Sequence, residues 1–238
     1  MLLMIIEMTH APMDAVIPHP KNPQTMKKIT LTVVLAGLFL FSVTPGASQA
    51  QGLVNFGIKG GVNIANISFD DFDDNDSRTG FTIGAVLDVG FPMVPVGLET
   101  GLYYSQKGTT FNMSETIEGM TLTADATMKL DYLQIPVLAK INFGPPGPFS
   151  PHFVAGPYAG FILNAETEMS FMGETVTEDI SDDVESMDFG LIFGLGADFN
   201  LMVSKINVQA RYSLGLADVF DGESSKNRVI SLVAGFSF

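Results

Sequence analysis

The chain lacks cysteine and tryptophan altogether, and only three of its 238 residues are histidine. Without cysteine no disulfide can form, which fits a protein that crosses an oxidising compartment without mispairing. His152 is the single histidine beyond residue 50. A hydrolase of the serine type needs a histidine base and a carboxylate beside its nucleophile. No serine motif accompanies His152, which we expect at a membrane interface, so the sequence predicts no enzyme and no cofactor.

Long hydrophobic runs are also missing beyond the amino-terminal region. Mean hydropathy is +0.29 and 46% of the residues are hydrophobic. A membrane-spanning helix needs about 18 or more apolar residues in succession, and no such run occurs after residue 50. The hydrophobicity must therefore lie in strands.

Basic residues are scarce as well. The formal net charge is −14, and beyond residue 50 the chain has 24 acidic residues against 9 basic ones. Proteins that bind nucleic acid carry basic patches. The charge balance therefore excludes nucleic acid as a partner.

The longest apolar run lies near the start of the chain, at residues 29–43. Lys27 and Lys28 precede it, and small residues ending at Ala50 follow it. A basic flank, a short apolar core and a small-residue cleavage site are typical of a secretory signal peptide. We therefore expect an upstream artefact of start-site choice over 1–25, a signal peptide over 26–50 and a barrel domain over 51–238.

From residue 53 onward, apolar residues alternate with small or polar ones, which is the period of β-strands. In 205–216, for example, every even residue from Ile206 to Leu216 is apolar or aromatic. Pro136 lies inside one such segment, where a proline predicts a β-bulge. The predicted strands are 53–67, 80–91, 96–110, 127–143, 152–166, 188–201, 205–217 and 228–238.

The connections between these segments alternate in length. The short or proline-rich ones are 92–95, 144–151 and 202–204. The longer, polar ones are 68–79, 111–126, 167–187 and 218–227. Outer-membrane barrels have short periplasmic turns and longer outer loops. The pattern predicts an all-β fold, an eight-stranded antiparallel up-and-down transmembrane β-barrel.

The alternation alone leaves open which strand face lines the interior. A soluble ligand-binding barrel turns apolar side chains inward, and a membrane barrel turns them outward. The polar faces carry small residues and few charges, which suits a narrow lumen, and side chains nearly fill a barrel of about eight strands. A salt-bridged plug is therefore favoured over an ion path. Its predicted charge network consists of Lys59, Asp88, Glu99, Lys140, Asp198 and Arg211, with Lys107 and Lys205 on the same faces.

Aromatic residues mark two further features. Tyr103, Tyr104, Tyr132 and Tyr212 are expected in a girdle at the membrane interface. The last strand places Phe236 and Phe238 on its apolar face. A strand that ends on an aromatic residue resembles the recognition signal of barrels for their assembly machinery. We therefore assign Phe236 and Phe238 as the expected assembly signal.

Several short segments carry a family resemblance. They are FGIKGGVN at 56–63, GLETGLYYSQKG at 97–108, LDYLQIPVLAK at 130–140, GPYAG at 156–160, RYSLGL at 211–216 and the last strand. Together they resemble the PorT-like small porin family, proteins with an eight-stranded outer-membrane β-barrel domain. The resemblance implies this fold and an outer-membrane location. It implies no activity, because members of the family are functionally diverse.

Acidic residues cluster in two of the longer connections. In the first, Asp71, Asp73 and Asn75 follow the spacing at the start of a calcium loop. Asp76 stands where that loop needs glycine, and Thr82 where it needs glutamate. These three residues are therefore weak metal candidates. Looser attraction of divalent cations to an acidic rim is the stronger expectation.

The function hypothesis is a monomeric, non-enzymatic integral outer-membrane protein. Its barrel acts as an anchor, and its acidic loops form an outer interaction surface. The expected partners are outer-membrane lipids, the barrel assembly machinery and divalent cations at the loops. Two alternatives stay open: a narrow porin-like channel for small ions or solutes, and a soluble exported ligand-binding barrel.

Overall fold

The computed structural model describes residues 54–69, 75–91, 94–117, 120–144, 147–171, 174–201, 203–220 and 223–238. The start site and the signal peptide proposed within residues 1–50 lie outside these ranges and stay predictions. In the described ranges, no helix has the length and apolar character needed to cross a membrane.

The described residues form nine β-strands, eight of which close into a ring. The strands are β1 (Val54–Phe69), β2 (Asp76–Gly90), β3 (Val96–Ile117), β4 (Met120–Asn142), β5 (Phe149–Phe171), β6 (Glu174–Asp179), β7 (Met187–Asn200), β8 (Lys205–Phe220) and β9 (Glu223–Ser237). Neighbours in the ring pair antiparallel in the order β1-β2-β3-β4-β5-β7-β8-β9 and back to β1, whereas β6 pairs with β5 outside it. The prediction of an eight-stranded antiparallel up-and-down barrel is confirmed.

The ring closes where β9 pairs with β1. Their register runs from Gly57 opposite Ser237 to Phe69 opposite Ser225. Beyond the ladder, Phe56 and Phe238 exchange two further backbone hydrogen bonds, with N···O distances of 3.1 and 2.9 Å. The last strand therefore joins both β8 and β1, as closure of an up-and-down barrel requires.

The apolar strand faces point away from the lumen. Leu195, Ala210 and Leu232 lie side by side in register on β7, β8 and β9, and all three are exposed. Gln209, the neighbour of Ala210, is fully buried inside the ring. Exposure of such a large apolar belt to water is unfavourable. Contact with the hydrocarbon of a membrane is favourable for the same side chains.

The aromatic girdle differs from the predicted one. Tyr103 and Tyr132 are buried in the lumen, because each shares the inward parity of its strand. Tyr212 is exposed, and Tyr104 packs against Phe81 with ring centroids 5.4 Å apart. Around the rim that holds the chain end, the exposed aromatic residues are phenylalanines: Phe91, Phe143, Phe149, Phe199 and Phe238.

We call the rim with the connections 91–95, 143–148 and 201–204 the turn end, and the opposite rim the hairpin end. At the hairpin end, the predicted loops 111–126 and 167–187 are wrong over most of their length. β3 and β4 stay paired out to Ile117 opposite Met120. These segments are rich in threonine, whose β-branched side chain favours strands. The sequence predicts loops there because polar residues occupy both odd and even positions, so no alternation is visible.

The extensions form a small sheet that continues past the barrel. The pairing of β2 with β3 ends at Asp76 opposite Thr110. Farther toward the hairpin end, the sheet consists of the extended parts of β3, β4 and β5 together with β6. We call this unit the hairpin sheet (110–117, 120–127, 166–171 and β6). Among the described residues, no strand pairs with the outer side of β6.

Pro136 interrupts the ladder between β3 and β4, but the predicted β-bulge does not occur at Pro136 itself. The pairing of β3 with β4 skips Ile135 and Pro136, although the register stays constant on both sides. The irregularity on the β5 side lies between Asp131 and Tyr132. Pro136 has no N–H to donate, and the Thr100 hydroxyl donates to its carbonyl at 2.7 Å.

Replacing Leu232, which is 61% exposed, by Arg tests the outward facing of the apolar belt. A cation near the bilayer midplane costs about 2–4 kcal/mol, and one near an interface about 0–1 kcal/mol. We expect Leu232→Arg to lower the free energy of unfolding by the larger amount in a denaturant titration in lipid vesicles. Val203→Arg, at an 88% exposed residue of the turn end, is the matched control. Equal losses in the two variants would contradict the assignment.

Candidate functional site

The lumen contains a network of buried charges centred on Glu99. Its carboxylate accepts hydrogen bonds from Lys59 Nζ at 2.8 Å, Gln209 Nε2 at 2.9 Å and Arg211 Nη2 at 2.5 Å. Lys59 lies on β1 and Glu99 on β3, while β8 lies on the opposite side of the ring. One carboxylate therefore links three strands across the full width of the barrel.

Gln209 connects this carboxylate to His152. Its carbonyl oxygen accepts a hydrogen bond from Arg211 Nε at 2.7 Å, and its amide nitrogen lies 3.0 Å from His152 Nε2. His152 is buried inside β5, so its predicted place at a membrane interface is wrong. Its other ring nitrogen lies 3.8 Å from Asp198. Within the described residues no serine hydroxyl hydrogen-bonds this ring.

A second charged layer lies nearer the turn end. Lys140 Nζ lies 2.8 Å from Asp198 and 3.5 Å from Asp88. Lys205 Nζ lies 3.6 Å from Asp88 and 3.7 Å from Asp198. Asn207 donates a further hydrogen bond to Asp198 at 2.5 Å. Two carboxylates thus share two ammonium groups, and the layer is electrically balanced.

This layer forms the floor of a cavity that opens at the turn end. The cavity has a volume of about 580 Å³, and Asn55, Asn142 and Ser150 contribute to its polar wall. Oδ1 of Asp88 is buried at the floor without a hydrogen bond. The cavity is a vestibule that ends at the charged layer.

A third group of polar contacts lies toward the hairpin end. Lys107 Nζ lies 2.7 Å from Asp188, and it stands 4.5 and 4.9 Å from the ring centroids of Tyr158 and Tyr132. Tyr158 and Asn227 also donate to the Asp188 carboxylate, both at 3.2 Å. The sequence reasoning missed Asp188, Tyr158 and Asn227. Strand parity identifies them, since Asp188 shares its face with Asp198.

Between the charged groups the lumen is nearly solid. Asn63 donates to Ser105 at 3.0 Å and accepts from Ser231 at 2.8 Å. The free space beside them is about 20 Å³, which is room for roughly one water molecule. At this level the described side chains therefore fill most of the lumen.

An apolar cluster closes the lumen at the hairpin end. The segment 180–186 crosses the mouth, where Val184 forms a bridge with Phe220 and Glu185 N donates to Val219 O at 2.9 Å. Val184 belongs to a buried cluster with Ile67, Leu130, Tyr132, Ala165 and Val219. The mouth is therefore sealed by hydrophobic packing.

Inward-facing glycines make room for the large lumen side chains. A Cβ atom at Gly84 would lie 2.6 Å from the Tyr103 ring, and one at Gly196 would lie 2.7 Å from His152 Nε2. Both distances are well below ordinary van der Waals contact. The glycines of the polar faces are therefore part of the lumen packing.

All six residues of the predicted charge network face the lumen and are buried: Lys59, Asp88, Glu99, Lys140, Asp198 and Arg211. The predicted metal candidates Asp71 and Asp73 lie outside the described residues. The Asn75 amide donates to Asn66 and Thr109, at 2.8 and 3.0 Å. No group of three or more residues in the described ranges has the geometry to hold a metal ion. The calcium hypothesis stays a prediction.

The two expected assembly residues face outward. Phe236 and Phe238 are exposed on the apolar face of the closing strand. Recognition by the assembly machinery stays a prediction for both residues.

A closed antiparallel ring with an apolar exterior and a filled, polar interior defines the class of outer-membrane β-barrel proteins. The chain belongs to the outer membrane protein β-barrel domain family, whose model matches residues 47–221. The protein is therefore located in the outer membrane, and the alternative of a soluble ligand-binding barrel is wrong. The narrower PorT-like assignment stays a prediction.

Several solved structures are similar to this chain. Ail, the attachment invasion locus protein of Yersinia pestis, is 18% identical, with 77% of this chain and 98% of that chain covered and a TM-score of 0.40. Neisserial surface protein A is 14% identical, with 77% and 97% covered and a TM-score of 0.42. The N-terminal β-barrel domain of Pseudomonas aeruginosa OprF is 13% identical, with 76% and 97% covered and a TM-score of 0.34. No curated protein matches the chain.

Replacing Glu99 by Gln tests the lumen network. The change keeps the side-chain shape but leaves Lys59 and Arg211 buried without their counter-charge, which costs about 3–5 kcal/mol. We expect that loss in the free energy of unfolding, measured by denaturant titration in lipid vesicles.

Glu168→Gln is the matched control, because it removes a carboxylate from the ion pair of Glu168 with Lys129. These side chains are 31% and 30% exposed, and such pairs contribute about 0–1 kcal/mol. If Glu99→Gln costs no more than this control, the Glu99 network does not stabilise the barrel.

Proposed function

We propose that this protein is a non-conducting outer-membrane anchor that holds an acidic contact surface outside the cell. The observation that carries the proposal is the closure of the lumen at several levels. The Glu99 contacts span the barrel, the gap beside Asn63 is about 20 Å³, and packing around Val184 seals the hairpin end. A solute would have to displace all three.

The cost of separating buried ion pairs favours a permanently closed lumen over one that opens as a gate. Opening a path requires separating buried ion pairs, and a buried charge that loses its partner costs several kcal/mol. The pair of Lys107 with Asp188 and the contacts of Glu99 would both have to part. The vestibule of about 580 Å³ favours a channel as the second candidate, but its floor is one of these paired layers.

The proposed contact surface lies at the hairpin end. Exposed acids there are Glu174, Glu178, Asp179, Asp182, Asp183 and Glu185. The hydroxyl and backbone N–H of Ser181 hydrogen-bond the Asp179 carboxyl and hold its pKa below the usual range, so this residue is negative at neutral pH. Such a surface attracts divalent cations and basic partners. Lipids of the outer membrane surround the apolar belt in this proposal, and the barrel works as a monomer.

Cysteine labelling tests the orientation that the proposal requires. The chain has no native cysteine, so Val176→Cys creates a single thiol in β6, at a residue that is 67% exposed. We expect a membrane-impermeant maleimide to label this variant on intact cells, since outer-membrane barrels turn their longer connections outward.

Val203→Cys is the matched control at the turn end. Its position is at least as exposed, yet we expect labelling only after the outer membrane is permeabilised. Labelling of the Val203 variant alone on intact cells would reverse the orientation and remove the external surface from the proposal.

Planar-bilayer recording separates the anchor from the channel. We expect the purified protein to produce no conductance steps above the lipid background, because the lumen is filled. A large porin inserted in the same membrane checks that steps are detectable. Steps whose size changes with Lys205→Glu, at the vestibule floor, would overturn the anchor in favour of the channel.

A further inference from the structure

The last strand of the hairpin sheet, β6, is open along its outer edge. β6 pairs with β5 on one side only, and it ends the strand order of the sheet. All six of its residues are exposed. In the described part of the chain, no backbone hydrogen bond reaches the outer edge of Glu174–Asp179.

The backbone groups at that edge are identified by the pairing with β5. Beyond the ladder, Ile180 N donates to Ala165 O at 2.9 Å in the same register. Hydrogen-bonded pairs alternate along an antiparallel ladder, so the even residues of β6 bond to β5. The N–H and C=O groups of Thr175, Thr177 and Asp179 therefore point to the free edge.

Apart from its acidic side chains, this edge lacks the usual protection against further pairing. Natural edge strands carry proline, charged side chains or a bulge that hinders the addition of another strand. β6 reads Glu-Thr-Val-Thr-Glu-Asp, and its six pairs with β5 follow one another without a register shift. Only its acidic side chains limit which strand can join it.

We propose that the outer edge of β6 binds an extended basic segment of a second protein as an additional strand. Backbone hydrogen bonds to Thr175, Thr177 and Asp179 would hold the segment, as in other complexes formed by strand addition. Lysine or arginine side chains of the segment would lie opposite Glu174 and Glu178. The inference rests on the proposed function, since it names the kind of partner that the acidic surface takes.

A second copy of this chain fits the edge poorly. If two β6 strands paired antiparallel about Val176, with the outward-pointing Thr175 opposite Thr177, then Glu174 of each copy would lie opposite Glu178 of the other. Like charges directly opposite one another destabilise a sheet. Opposite charges at the same positions contribute favourably, which is why the proposed segment is basic.

Peptide binding to the full-length protein in lipid nanodiscs tests the proposal by fluorescence anisotropy. The probe is a labelled hexapeptide, Thr-Lys-Val-Lys-Thr-Lys, which presents its lysines on one strand face. Thr-Lys-Pro-Lys-Pro-Lys has the same charge but cannot complete a ladder. We expect the first peptide to bind and the second to bind at least about fivefold more weakly, the effect of roughly one backbone hydrogen bond.

Two variants locate the site. Thr177→Pro removes one outward N–H and is expected to weaken binding about fivefold, whereas Thr177→Ala keeps the N–H and should stay within about twofold. If Thr177→Pro disturbs folding, the double variant Glu174→Lys, Glu178→Lys serves instead, because it should transfer the preference to Thr-Glu-Val-Glu-Thr-Glu.

Three results would overturn the proposal. Equal binding of the proline-interrupted peptide would show attraction by charge alone, and no binding of the first peptide would show that the edge takes no strand. Disulfide-linked dimers of Val176→Cys at the edge would identify a second copy as the occupant. Nanodiscs expose both ends of the barrel, so none of these results depends on the orientation or the conductance.

Discussion

The structure depends on the closure of the backbone hydrogen-bond ring between β1 and β9. In a hydrocarbon layer no water is available to satisfy a free N–H or C=O group, so a sheet can span the membrane only without edges. The pairing of Gly57 with Ser237 and the bonds between Phe56 and Phe238 remove the last edge. Once the ring is closed, strict alternation sends one set of side chains to lipid and the other into a narrow lumen.

The narrow lumen explains the chemistry inside it. A ring of eight strands has little interior space, so large side chains such as Tyr103 and His152 fit only beside glycines such as Gly84 and Gly196. Charges in that space must be paired, and Glu99 is paired with Lys59, two strands away, and with Arg211 on the opposite wall. The contacts that neutralise the interior also block it, which connects the stability of the barrel with the absence of a transport path in the proposed function.

Outside the membrane the constraint is lifted, and the structure changes accordingly. Water can satisfy an open strand edge there, so the hairpin sheet need not close. β6 keeps one edge free, with acidic side chains along it. In the proposed function, the ring acts as the anchor and the hairpin sheet provides the contact surface.

The sequence by itself determined the number of ring strands, the face to which Glu99 and Leu232 belong, and the pairing partners of the last strand, because a period of two residues records which face is apolar. The alternation of odd and even residues also places Tyr103 and Asp188 on the inward faces of their strands, although the type of residue alone did not indicate this. Only the tertiary structure decided that Glu99 meets Arg211 across the lumen and that β6 exists as an open strand. Contacts across a barrel depend on the order and stagger of the strands, and the local alternation of residues does not reveal either. β6 could not be predicted because a segment that is polar on both faces shows no apolar alternation.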